Sequence, residues 1–202
     1  MRRTRDDAEA TRESLLDAAL IVFSRQGYEA TRLEDIAEEA KVTRGAIYHH
    51  FGGKAQLFQA LTRERFAAAN AALGRALSSG GAPLNALHTL MLESFDLLAR
   101  DPQYRAMQEI ILFHTPLTPE LAEGLAAKRD GARALADALA DLIRQGIAQG
   151  DVRPSVEPAD AAVAAIGLLN GVMAMWLFDP EGFSLSSRAA GIVDVFVDGL
   201  RS

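Results

Sequence analysis

The sequence predicts an all-α protein of about nine helices, three short ones at the N-terminus followed by a larger helical remainder, and three observations carry that prediction. The chain is 49% hydrophobic but only 6% aromatic and is rich in Ala and Leu, which favour helix. Apolar residues recur at the three-to-four spacing of an amphipathic helix in one segment after another. The seven prolines fall mostly between those segments, where they end helices without breaking them.

Thr11 is the expected N-cap of a first helix over about 12–26, with Leu15, Leu16, Ala19, Leu20, Val22 and Phe23 as its inward stripe and Gly27 as its stop. Thr31-Arg-Leu-Glu34 has the capping-box pattern, so a second helix is expected over about 32–40, with Ile36, Ala37 and Ala40 facing inward. Lys41-Val42 is a very short connection. Thr43 is then the expected N-cap of a third helix ending near Tyr48 or His49, and Gly52-Gly53 breaks the chain before a longer helix from Lys54. Punctuation at Ser78 to Pro83, Asp101-Pro102, Thr115 to Pro119, Gly150 to Pro158 and Asp179 to Gly182 delimits helices near 54–78, 83–99, 102–114, 119–149, 158–178 and 186–200. A chain of 202 residues has room for a small domain joined to a larger one, and the boundary is expected at 56/57, giving domains 1–56 and 57–202.

Composition narrows the function classes. No run of eighteen apolar residues occurs and the N-terminus leads into no apolar signal core, so neither a membrane partner nor export is expected, and the cytoplasm is the expected location. With no cysteine there is no disulfide framework and no thiolate metal site. His49-His50 lacks the i, i+4 spacing of a helical zinc pair, so no metal is expected. No Gly-rich phosphate loop and no nucleophile elbow is present, so neither a catalytic residue nor a cofactor is expected and the chain reads as no enzyme.

A formal net charge of −6 argues at first against nucleic acid, and residues 1–60 carry nine basic side chains against ten acidic ones. Distribution reverses the argument. Between Glu39 and Glu64 no acidic residue occurs, while Lys41, Arg44, Lys54, Arg63, His49 and His50 all fall inside that gap, so one face is expected to be locally positive. Two short helices joined by a tight turn and braced by a preceding amphipathic helix form a helix-turn-helix, whose second helix lies in the major groove of DNA.

In that reading Thr31 and Thr43, at helix starts, offer hydroxyls and free N–H groups to phosphates. Arg44 is the candidate for bidentate contact with guanine. Gly45 and Ala46 let the backbone approach the groove, with Ala46 placed to touch a thymine methyl. Tyr48, His49, His50 and Lys54 reach phosphates at the far end, and His49 is a further candidate to read a base. Tyr48 packing within the small domain and His50 capping the helix are the structural alternatives. Arg2, Arg3 and Arg5 are read as a flexible arm on the DNA or as a solvated tail.

The residues Ala18-Ala19, Phe23, Gly27-Tyr28, Thr31, Asp35-Ile36-Ala37, Val42, Gly45, Tyr48, His50-Phe51, Lys54 and Leu57 resemble, in order and spacing, the tetracycline-repressor (TetR) family of bacterial regulators. One departure lies at Lys41, where the family often has glycine; a left-handed backbone there would cost a non-glycine residue roughly 1–2 kcal/mol. Further on, Glu109 to His114 and Asn170 to Phe178, with Asp179-Pro180 and Phe183 to Leu185, resemble the acridine-resistance repressor branch that controls multidrug efflux.

The resemblance implies a ligand-responsive repressor that binds a palindromic operator as a homodimer and is released by a hydrophobic small-molecule inducer. The implied ligand residues are Phe66, Glu109, Phe113, His114, Ile166, Leu169, Asn170 and Met173, with Gln108 as the alternative to Glu109. The implied dimer interface lies in the helices near 119–149 and 158–178, through Ala134, Ala138, Val163 and Ile166. Control of a metabolic or stress operon is the alternative within the regulator class. A small-molecule-binding or scaffold protein without DNA function is the alternative outside it.

Overall fold

Residues 2–78, 81–114 and 122–202 are described by the computed structural model, without the side chains of 2–5, 68, 72, 73, 76–78 and 122–128. Over the described residues the chain is all-α, in ten helices: α1 (Arg2–Ala30), α2 (Leu33–Glu39), α3 (Arg44–His50), α4 (Lys54–Arg65), α5 (Ala67–Ser78), α6 (Pro83–Arg100), α7 (Pro102–Phe113), α8 (Ala122–Gln149), α9 (Pro158–Phe178) and α10 (Leu185–Leu200). The expected break at Thr115 to Pro119 and a helix start at 119 lie outside the described residues.

Three expectations at helix ends change. Thr11 is no cap, because α1 already runs from Arg2 and the Thr11 hydroxyl donates back to the Asp7 carbonyl at 2.8 Å. The segment holding Arg2, Arg3 and Arg5 is therefore helical, and the side chains of those arginines lie outside the described residues. Gly27, at φ +76°, does interrupt α1, as a C-terminal glycine should. Thr31 does not cap α2: its hydroxyl donates to the Gly27 carbonyl at 2.6 Å, and Arg32 takes the cap position, where its N–H donates to Asp35 Oδ2 at 3.0 Å. The capping frame thus shifts by one residue and leaves Glu34 out of it. Finally, the helix expected over 54–78 is two, broken at Phe66 (φ −93°, ψ 0°), where no glycine or proline marks the sequence.

The chain divides into two units, Met1–Phe66 with Ala106–Leu125, and Ala67–Arg105 with Ala126–Ser202. In the first, α1 packs on α2 and α4, and α2 on α3. Phe23, Tyr28 and Phe58 form an aromatic cluster at its centre, with ring centroids 5.1 to 5.7 Å apart. Leu57, Phe58 and Leu61 share that core, so the whole of α4 belongs with the helix-turn-helix and the 56/57 boundary cuts through a packed helix. The backbone N–H of Tyr28 donates to the carbonyl of His114, which ties the end of α7 to the end of α1.

In the second unit α6 lies between α5, α9 and α10. It buries Leu84, Leu87, Met91, Phe95 and Leu98, while α10 buries Val193 and Val197 among others and α9 buries Ala162, Ala165 and Trp176. Arg105 closes the end of α6 by donating to the carbonyls of Leu98 and Ala99, and its guanidinium lies 4.9 Å from the Trp176 ring centroid. Gly146 of α8 permits a close approach: a Cβ there would stand 2.6 Å from Val152 Cγ2.

Lys41 adopts the left-handed conformation expected of a glycine at this turn, with φ 55°, the one non-glycine positive φ among the described residues. Lys41→Gly should relieve part of that strain, raising stability by about 0.5–1 kcal/mol after the entropic loss of glycine. Scanning calorimetry should then find a melting temperature higher by about 1–4 °C; an unchanged or lower value would show the turn to be unstrained.

Candidate nucleic-acid interface

A helix of seven residues does not hold itself together in water, so α3 depends on its packing. Ile47 supplies it: the side chain is fully buried, with Ala46 and Phe51 packed beside it against the core. At about 100° per residue, anchoring Ile47 inward sets Gly45 and His49 about 160° away on the opposite face, Tyr48 about 100° away on the flank and Arg44 about 60° away in the first turn, where its length carries the guanidinium outward. Those four are exposed, as is Thr43 at the N-cap. Tyr48 is 46% exposed, which decides against its packing within the small domain. Ala46, expected to touch a thymine methyl, is instead half-buried on the core side. His50 is likewise half-buried, its ring 6.2 Å from that of Phe51.

The phosphate-facing candidates separate. Thr43 caps α3 by backbone geometry (φ −79°, ψ 150°) and makes no side-chain cap bond, so its hydroxyl stays on the surface. Thr31 is 2% exposed and committed to Gly27, which removes its hydroxyl from the interface. Lys54 is drawn inward: its ammonium donates to the Glu29 carbonyl at 3.2 Å and sits 4.4 Å from the Tyr28 ring centroid.

Arg44 has unexpected company. Its Nη1 donates to Glu34 Oε1 at 2.6 Å, its Nη2 donates to the Tyr48 hydroxyl at 2.8 Å, and its Cζ lies 5.3 Å from the Tyr48 ring centroid. The Tyr48 hydrogen bond, then the Glu34 charge, raise the guanidinium above its ordinary pKa. The strip that is free of acid in sequence is therefore not free of it in space. Glu34 enters from α2 because Asp35 has taken over the capping role.

A second pair of contacts braces the interface from behind. Arg12 donates to both carboxylate oxygens of Glu64 and lies 5.4 Å from the Phe51 ring centroid, where α3 ends. The Arg12 hydrogen bond holds the Glu64 carboxyl below the ordinary carboxylate range. Arg65, next along, donates to Glu13 at 2.9 Å and Asp17 at 2.7 Å. With partners 48 and 52 residues apart, these contacts leave no mark in local sequence pattern.

An exposed α3 face that carries Arg44, Tyr48 and His49 on a packed helix-turn-helix is what a groove-reading element requires. Residues 15–61 match the model of the bacterial regulatory proteins of the tetR family. Residues 82–202 match that of the C-terminal region of MAATS-type transcriptional repressors. The chain belongs to the TetR family. It is a DNA-binding transcriptional repressor, and the relatives it matches are regulators, not enzymes.

TtgR, an HTH-type transcriptional regulator of Pseudomonas putida, is 34% identical over 203 residues, covering 100% of this chain and 96% of that one. AcrR, the HTH-type regulator of Shigella flexneri, is 29% identical over 198 residues, covering 98% and 92%. Among solved structures, NalD of Pseudomonas aeruginosa, the secondary repressor of the MexAB-OprM multidrug efflux pump, has a TM-score of 0.85 at 30% identity and covers 97% of this chain and 98% of its own.

The ligand residues implied for this TetR-family chain fall into two groups. In the first unit, Phe66 is half-buried at the end of α4, Gln108 is half-buried, and Glu109, Phe113 and His114 are described in α7 and just beyond it, Phe113 and His114 being exposed. In the second, Ile166, Leu169, Asn170 and Met173 follow the i, i+3, i+4, i+7 spacing of one face of α9. Met173 is buried, Ile166 and Leu169 are half-buried, and Asn170 is exposed. A groove of about 890 Å³ involves none of these residues; Leu168 of α9 and Ile192, Val195 and Phe196 of α10 line it, with Arg153 and Arg188.

Proposed function

We propose that this repressor binds a palindromic operator as a homodimer, controls a multidrug efflux operon, and is released by a hydrophobic small molecule. The observation that carries the efflux reading is the full-length likeness to NalD, a repressor of a multidrug efflux pump. The regulator acts where its DNA is, in the cytoplasm. Arg44, with Tyr48 and His49 beside it, faces the major groove, and Thr43 and Gly45 allow the close approach of the helix start to the backbone.

The dimer forms through α9 and α10, in place of the α8 and α9 pairing expected from sequence. Four large apolar side chains stand in solvent on those two helices: Val163, Met175 and Phe178 on α9 and Val195 on α10, with Phe178 85% exposed. On α8, Ala134 is exposed and Ala138 half-buried, and both are small. By length and composition α9 is apolar enough to cross a membrane, yet it is one wall of a groove whose other wall is α10. Such a two-helix face suits a second copy of itself, forming a four-helix contact across a twofold axis.

Within the first unit Phe66 and Phe113 offer an inducer apolar surface and Glu109 and His114 polar tips; within the second Ile166, Leu169 and Met173 offer apolar surface and Asn170 a polar tip. Release is a population shift, in which the compound binds the conformation unable to span two half-sites better than the one that spans them. The test is fluorescence anisotropy of a labelled operator duplex titrated with the full chain, with and without a panel of micromolar hydrophobic drugs and dyes. At least one compound raises the apparent dissociation constant; no change across a broad panel would overturn the efflux reading and leave DNA binding intact.

A further inference from the structure

The guanidinium of Arg44 is engaged within the protein itself. Recognition of guanine uses two N–H groups of the fork side by side. Both terminal nitrogens of Arg44 have partners here, Glu34 at 2.6 Å and the Tyr48 hydroxyl at 2.8 Å. Tyr48 stands one turn along α3 and travels with the arginine, so it can remain a partner in the groove. Glu34 is fixed on a different helix, so an Arg44 that swings toward a base edge must leave it. Nothing else in the described structure holds Glu34 back: Asp35 bonds the Arg32 N–H and receives Gln26 Nε2 at 2.9 Å, leaving the Glu34 carboxylate to Arg44.

We propose that Glu34 is a specificity-determining residue that acts through Arg44, competing with DNA for its guanidinium. The inference rests on the proposed role of Arg44 as a base reader. An exposed ion pair is worth about two- to fivefold in an equilibrium, and a phosphate contact by the same exposed arginine gains about as much, so on non-operator DNA the two nearly cancel. A bidentate base contact is worth on the order of ten- to a hundredfold and exceeds the loss of Glu34. Operator binding therefore forfeits the whole ion pair, whereas on non-operator DNA Arg44 can stay with Glu34, so the carboxylate subtracts more from operator binding than from non-specific binding.

The test compares full-length variants on two duplexes: one selected by the wild-type protein from a randomised pool, and a scrambled version of the same length and composition. Glu34→Gln should strengthen binding to the selected duplex by about two- to fivefold, change the scrambled duplex less, and so raise the ratio between them. Glu38→Gln removes the same charge one turn along α2 and reports the general electrostatic effect. In an Arg44→Ala background the excess of Glu34→Gln over Glu38→Gln should disappear. Equal effects of the two glutamine variants, or an excess that persists without Arg44, would overturn the proposal while leaving Arg44 as reader. Full preference for the selected duplex in Arg44→Ala alone would overturn the reading role itself, and the proposal with it.

Discussion

Arg44→Ala lowers affinity for the preferred duplex by about ten- to a hundredfold, the range set by one bidentate base contact, and flattens preference at the base pair it reads. The side chain is more than half exposed and its partners are surface groups, so the truncated protein keeps its fold. Non-specific binding changes little, because one cation is lost from a surface where Glu34 had already compensated it. Binding titrations on a set of single-base variants of the duplex check this. A uniform loss across all sequences would make Arg44 a phosphate contact, and no loss would remove it from the interface.

Val195→Glu separates the dimer. The valine is 79% exposed on α10 and lines the groove beside Leu168, so the substitution leaves the core of the protomer intact while placing a charge in the proposed interface. Sedimentation should move from dimer to monomer. Apparent affinity for the palindrome should then fall by about 10²–10⁴-fold, since two half-sites are no longer engaged together. A Val195→Glu protein that stays dimeric, set beside an Ala134→Glu protein that does not, would return the interface to α8.

Much of this fold was legible because periodicity is a property of the local chain. The stripe from Leu15 to Phe23, the stop at Gly27, the short α3 and the proline-bounded ends of α6 and α9 all follow from spacing and from backbone restrictions. The misread positions are those where a partner distant in sequence decides, or where no residue announces a break. Thr31 matched a capping box, but the unsatisfied Gly27 carbonyl claimed its hydroxyl and moved the frame by one residue. Phe66 ends α4 with no breaker residue to mark it. The size of Ala46 suits the reading face, but it lies on the flank of α3 that packs half-buried against the core, and only the packing of that flank decides it.

The interface shows the same division. Arg44, Tyr48 and His49 were legible from residue type and helix position, and they are exposed groups of α3. Glu34 was not, because only the packing of α2 on α3 brings a carboxylate into a sequence gap that holds none. Nor was the clasp of Arg12 on Glu64 or of Arg65 on Glu13 and Asp17, although these contacts bind α4 to α1 behind the reading helix. The apolar face of α10 was overlooked for another reason: a stripe on each side of a helix reads as burial all round, and only the fold distinguishes Val193, inside, from Val195, outside.

Footprinting of the full-length protein on genomic DNA, at a stated salt concentration, tests the central claim most directly. A dimer that reads bases through the exposed face of α3 protects a palindromic site with half-site centres about 34–36 Å apart, or a multiple of that distance, and the protection weakens steeply as salt rises. Protection spread evenly over all sequences, or a single half-site with no symmetry mate, would contradict it.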